Sequence, residues 1–244
     1  MATNPMYQFT VHKIGPEIKF GNVDLSFTNA SLFMLISALC ICIFLFFGSK
    51  NKNIIPDKIQ LTAELFYNFI SKMISDTAGS KAKPYFPFIF SLFMFVLLCN
   101  MIGMLPYSFT VTSHIIVTLI MALFIFIAVT IIGFLKHGFN YLSIFVPKGV
   151  PTVLLPLITV IEIISYLSRP VSLSVRLFAN MMAGHTMLKV FGGFVVSLGL
   201  LGGWLPLSFS VALTGLEILV AFLQAYVFAI LTCIYLNDAL NLHH

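Results

Sequence analysis

Apolar residues in this chain come in long unbroken runs, not in the alternating patterns of a water-soluble fold. The first run, Ser31 to Phe47, is about as short as a membrane helix can be. Pro87 to Leu105 and Ile115 to Leu135 are two further spans (87–135 together), joined by a hydroxyl-rich turn that ends at His114, and they read as a helical hairpin. Val153 to Leu201 and Pro206 to Leu236 are longer still, separated by Gly202-Gly203. A single helix over the first of these would measure about 70 Å at about 1.5 Å per residue, against a hydrocarbon core about 30 Å thick. It must tilt, bend at Pro170, or break near Gly192-Gly193. Ile59 to Ser75 differs: Leu65, Phe66, Phe69, Ile70 and Met73 share one helical face, with Gln60, Glu64, Asn68 and Lys72 elsewhere. That stripe predicts an amphipathic helix lying on the membrane surface.

The predicted fold is an all-α integral membrane protein forming a single membrane domain over residues 1–244. It has about five membrane helices plus the surface helix, the last two long, tilted and antiparallel (153–236). Composition agrees. The chain is 59% hydrophobic and 9% charged, with a mean hydropathy of +1.04, which leaves too little polar surface to cover a soluble core. Residues 1–30 are mixed and polar and lack the basic start and apolar core of a secretory signal. Lys50, Lys52, Lys58, Lys81, Lys83, Lys136 and Lys148 collect in the intervals on one side of the spans. The positive-inside rule makes that side cytoplasmic or matrix, with the N-terminus outside and the C-terminus, ending His243-His244, inside. A net charge of +5 spread this way reads as a topology signal and not as a nucleic-acid site. Cys40, Cys42, Cys99 and Cys233 lie within apolar runs and read as buried thiols. No spacing calls for a metal, a cofactor or a nucleotide-binding loop.

Against this background Arg176 is expensive. A charge near the bilayer centre costs roughly 2.5–3.5 kcal/mol on insertion scales, and a guanidinium cannot shed its proton to escape. If the last two runs form an antiparallel hairpin turning near position 200, Arg176 falls level with Gln224, His185 with Glu217, and Glu162 with Asp238. Each polar group then has a polar neighbour opposite, as an apolar surrounding demands. Ser172, Arg176, Asn180 and Ala183 share one face, while His185, half a turn round and about 13 Å further along, meets a different environment. His185 and Glu217, outside Arg176, form a titratable pair able to pass protons. Glu162, toward the inner side, serves a second passage, and the fixed cation between them blocks a direct leak. Arg169 reads as structural or interfacial, Lys189 as a side chain snorkelling to the surface, and His12, His114 and His137 as loop or interface residues, His114 at a possible channel mouth. The alternative is a secondary transporter with an intramembrane Arg as substrate clamp. It predicts two related halves with broken helices, and no such repeat is evident.

The stretch Ser168-Arg-Pro-Val-Ser-Leu-Ser-Val-Arg-Leu-Phe-Ala-Asn-Met-Met-Ala-Gly-His185 resembles the signature of the a subunits of F-type ATP synthases. Leu223-Gln-Ala-Tyr-Val-Phe-Ala-Ile-Leu-Thr-Cys-Ile-Tyr-Leu-Asn-Asp238 is similar to that family's last helix, and Asn100 to His114 to its hairpin turn. The resemblance implies a non-catalytic, proton-conducting stator subunit of the F0 sector, without a cofactor. Its implied partners are the c-ring, peripheral-stalk (b-type) and other F0 subunits, and membrane lipids. It implies that Arg176 faces the ring carboxylate, that His185 and Glu217 serve the outer half-channel, and that Glu162 serves the inner one. Asn180 and Gln224 match polar residues near the arginine, and Ser172 shares its face. The turn and the ending Tyr235-Leu-Asn-Asp238 imply a mitochondrial inner membrane, with the inner membrane of an alphaproteobacterium as the alternative.

Overall fold

The structure is a computed structural model that describes residues 9–14, 19–20, 23–24, 26–50, 56–105, 108–145 and 154–241. Lys52, Pro106, Tyr107, Lys148, Val153, His243 and His244, used in the sequence reading, lie outside those residues. The described helices are α1 (Asn29–Lys50), α2 (Lys58–Ala78), α3 (Phe86–Gly103), α4 (Ile115–His137), α5 (Leu155–Gly202) and α6 (Trp204–Leu240). Among the described residues five helices are long and apolar enough to cross a membrane, and α2 is not among them. Before α1, two-residue strands β1 (Lys19–Phe20) and β2 (Val23–Asp24) pair antiparallel.

Local chemistry explains where the helices begin and end. Thr28 and Ser31 cap α1 reciprocally: the Thr28 N–H donates to Ser31 Oγ at 2.9 Å and the Ser31 N–H to Thr28 Oγ1 at 3.4 Å. Pro87 sits in the first turn of α3, where its missing N–H costs nothing. Lys136 and His137 close α4, at the end where the helix dipole favours cations. The long helix α5 continues through Pro170, Gly192 and Gly193, and its non-helical break comes instead at Gly199, with φ 60° and ψ −159°. A side chain is strained at that φ, so glycine there lets the chain turn into α6.

Helix α3 is the most enclosed of the spans. Its Ile89, Phe93 and Val96 are fully buried, and α6 meets the core with a stripe of small residues, Ala221, Ala225, Ala229 and Cys233. Small side chains at i, i+4 spacing let two helices approach closely where lipid offers no hydrophobic driving force between them. Hydroxyl pairs tie α4 to α5: Thr118 Oγ1 with Ser174 Oγ at 3.1 Å, and Thr130 Oγ1 with Tyr166 Oη at 2.7 Å. In α2, Ile70, Met73, Ile74 and Ala78 turn into the bundle, whereas Ile59, Leu61 and Leu65 stay exposed. Its C-terminal half is therefore part of the protein wall as well as an amphipathic surface. Cys99 and Cys233 are buried, but Cys40 and Cys42 are exposed, contrary to the sequence reading. An apolar run does not tell a protein-facing position from an outward-facing one.

The two ends of the bundle differ. At one, Lys81 Nζ donates to Asn241 Oδ1 at 2.8 Å and His137 Nε2 lies 3.2 Å from the Leu240 carbonyl oxygen. At the other, the N-terminal segment, the turn before α4 and the second half of α5 enclose a common cavity.

Candidate functional site

The hairpin of α5 and α6 places most of the polar groups picked out in the sequence. His185 is 9% exposed and Glu217 3%. His185 Nδ1 lies 3.2 Å from Glu217 Oε1. The separation is that of an ion pair, but the alignment falls short of a hydrogen bond, and both Glu217 carboxyl oxygens lack a hydrogen-bond partner among the described residues. At 3.2 Å the two groups are within proton-transfer reach once ring and carboxyl align. Gly184 makes the approach possible: a Cβ there would stand 2.8 Å from Glu217 Oε1.

Thr110 fixes the other side of the imidazole, and the sequence reading did not single it out. Its hydroxyl donates to the Gly103 carbonyl oxygen at 3.1 Å and lies 2.9 Å from His185 Nε2. With the hydroxyl proton committed to Gly103, the network assigns the Nε2–H as donor to Thr110. Nδ1 is then the nitrogen that faces Glu217, and in neutral imidazole it is an acceptor. One proton can therefore lie either on the Glu217 carboxyl or on Nδ1. Below this pair, Asn100 is fully buried and donates from Nδ2 to the Ala221 carbonyl oxygen at 3.2 Å, leaving its Oδ1 without a partner among the described residues. His114 stacks on Phe109 at 5.0 Å between ring centroids. Burial pushes its imidazole pKa below the usual value.

Arg176 stands elsewhere on α5. It is exposed, together with Ser172, Ala179 and Ala183, while Leu173, Leu177 and Met181 on the opposite side are buried. No hydrogen bond or ion pair to Arg176 occurs among the described residues. Asn180 and Gln224 are half-buried, and no hydrogen bond joins either to Arg176 among the described residues. Arg176 thus presents a charge on a flat row of small side chains, turned away from its own bundle.

The open end of the hairpin, around Asp238, departs from the depth reading. Asp238 does not meet Glu162; it accepts a hydrogen bond from Arg169 Nη1 at 3.0 Å. The Arg169 guanidinium also lies 5.5 Å from the Tyr166 ring centroid and 5.1 Å from that of Tyr235. Tyr166 in turn is 3.0 Å from the Tyr141 hydroxyl. The cause is geometric: opposite positions drift by several residues along the hairpin, and an arginine reaches about a helical turn past its own Cα. Glu162 is half-buried on α5, one turn before Tyr166. Lys189 is exposed and lines the cavity beside His185.

Comparison with known proteins gives one answer. Residues 31–237 match the family described as ATP synthase A chain. The chain is 79% identical over 244 residues to ATP synthase subunit a of Pelagibacter ubique, covering 100% of both sequences. It is 58% identical over 247 residues to that of Rhizobium johnstonii, covering 99% of this chain and 98% of the relative. The subunit a of a Chelativorans species is 56% identical over 250 residues, with 100% of each covered. The match takes in α1 through most of α6, including the His185–Glu217 contact and the exposed Arg176, and the chain belongs to the ATP synthase A chain family.

Proposed function

We propose that this chain is the proton-conducting stator of the F0 sector, in which two offset half-channels serve a carboxylate on a neighbouring ring of c subunits. The observation that carries the reading is the division of labour along α5. A buried titratable pair, His185 and Glu217, lies between Arg176 and the turn at Gly199, and a permanently charged Arg176 faces outward from the middle. A proton arriving from outside moves between Glu217 and His185 Nδ1 and on to the ring carboxylate. The loaded carboxyl is neutral and can travel through lipid. On the far side it releases its proton past Glu162 to the inner face. Arg176 forces the returning carboxyl to ionise, because a carboxylate is strongly favoured beside a guanidinium. It also repels protons from a direct path between the half-channels. Ser172, Asn180 and Gln224 line the neighbourhood of the arginine. ATP chemistry belongs to other subunits of the complex, and peripheral-stalk subunits hold this one against rotation.

Lys50, Lys58, Lys81, Lys83 and Lys136 occupy loops or helix ends on the side of Asn241. That supports a cytoplasmic C-terminus and an N-terminal segment on the outer side. The relative in Pelagibacter ubique, an alphaproteobacterium, supports a bacterial inner membrane over a mitochondrial one.

Replacing Arg176 by Ala in the assembled complex tests the reading. Proton-driven ATP synthesis in vesicles is expected to fall by about a hundredfold or more, while the c-ring still co-purifies. Normal synthesis by that variant overturns the gate, and a chain that purifies without a ring overturns the partner.

A further inference from the structure

The outer cavity has a wall that the half-channel reading leaves unused. Its volume is about 730 Å³, far above the roughly 30 Å³ share of one water. Its inner end is His185, and Thr110 and Lys189 stand beside it. Its outer wall is the N-terminal segment, through Thr10 and His12, with Asn29 at the start of α1.

That segment is not loosely draped over the opening. The His12 N–H donates to Asn29 Oδ1 at 3.2 Å, and the Asn29 N–H returns to the His12 carbonyl oxygen at 3.0 Å. Asn29 Nδ2 also donates to the Thr10 carbonyl oxygen at 3.2 Å, and the Ile14 N–H to the Phe27 carbonyl oxygen at 2.7 Å. The His12 ring is held by Thr10, with Nε2 2.9 Å from Oγ1. An exposed imidazole is thus fixed at the rim of a space large enough for many waters, whose floor is a second imidazole.

We propose that this cavity is the mouth of the outer half-channel and that His12 is its proton-collecting residue, delivering protons to the water in front of His185. The inference rests on the half-channel reading. Its own argument is the charge inventory of the cavity. Among its described lining residues the titratable side chains are His12, His185 and Lys189. Helix α1 and the turn before α4 contribute neutral Asn29 and Thr110. The described lining holds no carboxylate. Lysines stay charged near neutrality and only repel an incoming proton. An imidazole can take up a proton there and give it back. Among the described lining residues uptake therefore falls to the histidine, most of all when outside protons are scarce. His12 touches neither the ring carboxylate nor Glu217, so it is a positioning residue for proton delivery.

The test uses the intact complex in vesicles whose outer face is accessible. His12→Ala is expected to slow proton-driven ATP synthesis about threefold at an outer pH of about 8 and to leave it unchanged at about 6. His12→Cys is then treated with a cationic or an anionic impermeant thiol reagent, the unsubstituted complex serving as the control for native cysteines. The cationic adduct is expected to slow synthesis and the anionic adduct to restore it. Equal slowing by His12→Ala at both pH values, equal effects of the two reagents, or no effect of either overturns the collecting role. Glu217→Gln in the same vesicles separates the two levels. Loss of flux there with His12 variants behaving as wild type sinks only this inference, whereas wild-type flux in Glu217→Gln sinks the half-channel reading beneath it.

Discussion

Glu217 and Asp238 are both carboxylates of α6 facing a basic side chain of α5, yet their surroundings are opposite. Glu217 is 3% exposed, lacks hydrogen-bond partners among the described residues, and faces an imidazole. The Asp238 side chain is 37% exposed and receives a hydrogen bond from a guanidinium packed between two tyrosine rings. Burying a permanent ion pair costs several kcal/mol per ion before attraction offsets it. The fixed pair sits where its own chain leaves both side chains partly exposed. The buried pair is one that can be neutral: a carboxylic acid beside a neutral imidazole carries no charge, and moving one proton charges both at once. Burial goes with a switchable pair at one site, and partial exposure with a static strut at the other.

The sharpest way to break this contrast is Glu217→Gln, which keeps the shape but cannot lose a proton. It is expected to cut proton-driven ATP synthesis about tenfold or more; wild-type flux there would remove Glu217 from the path. Next in size comes Gly184→Ala. Its Cβ would stand 2.8 Å from Glu217 Oε1, whereas a Cβ at Gly192 on the same helix meets nothing within 4 Å. About a fivefold loss for Gly184→Ala, against none for Gly192→Ala, is expected from displacing the carboxyl; equal rates would mean that the close approach is unimportant. Thr110→Val removes the oxygen that holds His185 Nε2 while keeping a similar volume. A drop of about threefold in flux is expected from the freed ring, with the thermal midpoint of the complex little changed. The smallest effect is expected from Asp238→Asn. Flux should change less than about twofold, and the cost in stability should be about 1 kcal/mol or less for so exposed a pair. If Asp238→Asn slowed proton flux as much as Glu217→Gln, the distinction between switch and strut would fail.

How far the sequence anticipated this depends on which physical signal carried each feature. The five spans were legible because a run of apolar residues long enough to cross a bilayer has few other uses. The meeting of His185 and Glu217 was legible from hairpin depth alone, because both lie nearer the turn than Asp238 does and register has less length over which to drift. Asp238 lies further from the turn, and there the same bookkeeping chose Glu162 in place of Arg169. Thr110 was obscure for another reason. A hydroxyl in a polar turn reads as solvated, and only the folding of that turn over α5 reveals its bond to His185. The location of the kink was likewise hidden, since Gly192, Gly193 and Gly199 are equivalent as letters and only the backbone shows which one has a positive φ.

The row of Ser172, Arg176, Ala179 and Ala183 bears on how such a chain is made. A newly inserted copy holds a guanidinium on its outer surface, with no counter-charge from its own described residues. At roughly 2.5–3.5 kcal/mol for a charge near the bilayer centre, a solitary copy is metastable. Local thinning of the bilayer or lipid phosphates drawn toward the charge would relieve part of that cost. A carboxylate supplied by a neighbouring chain would relieve it more fully, so the exposed charge would also mark an unassembled subunit. Its lifetime in the membrane should lengthen when its partner is present, and the Arg176→Ala chain should be the one whose lifetime depends least on company.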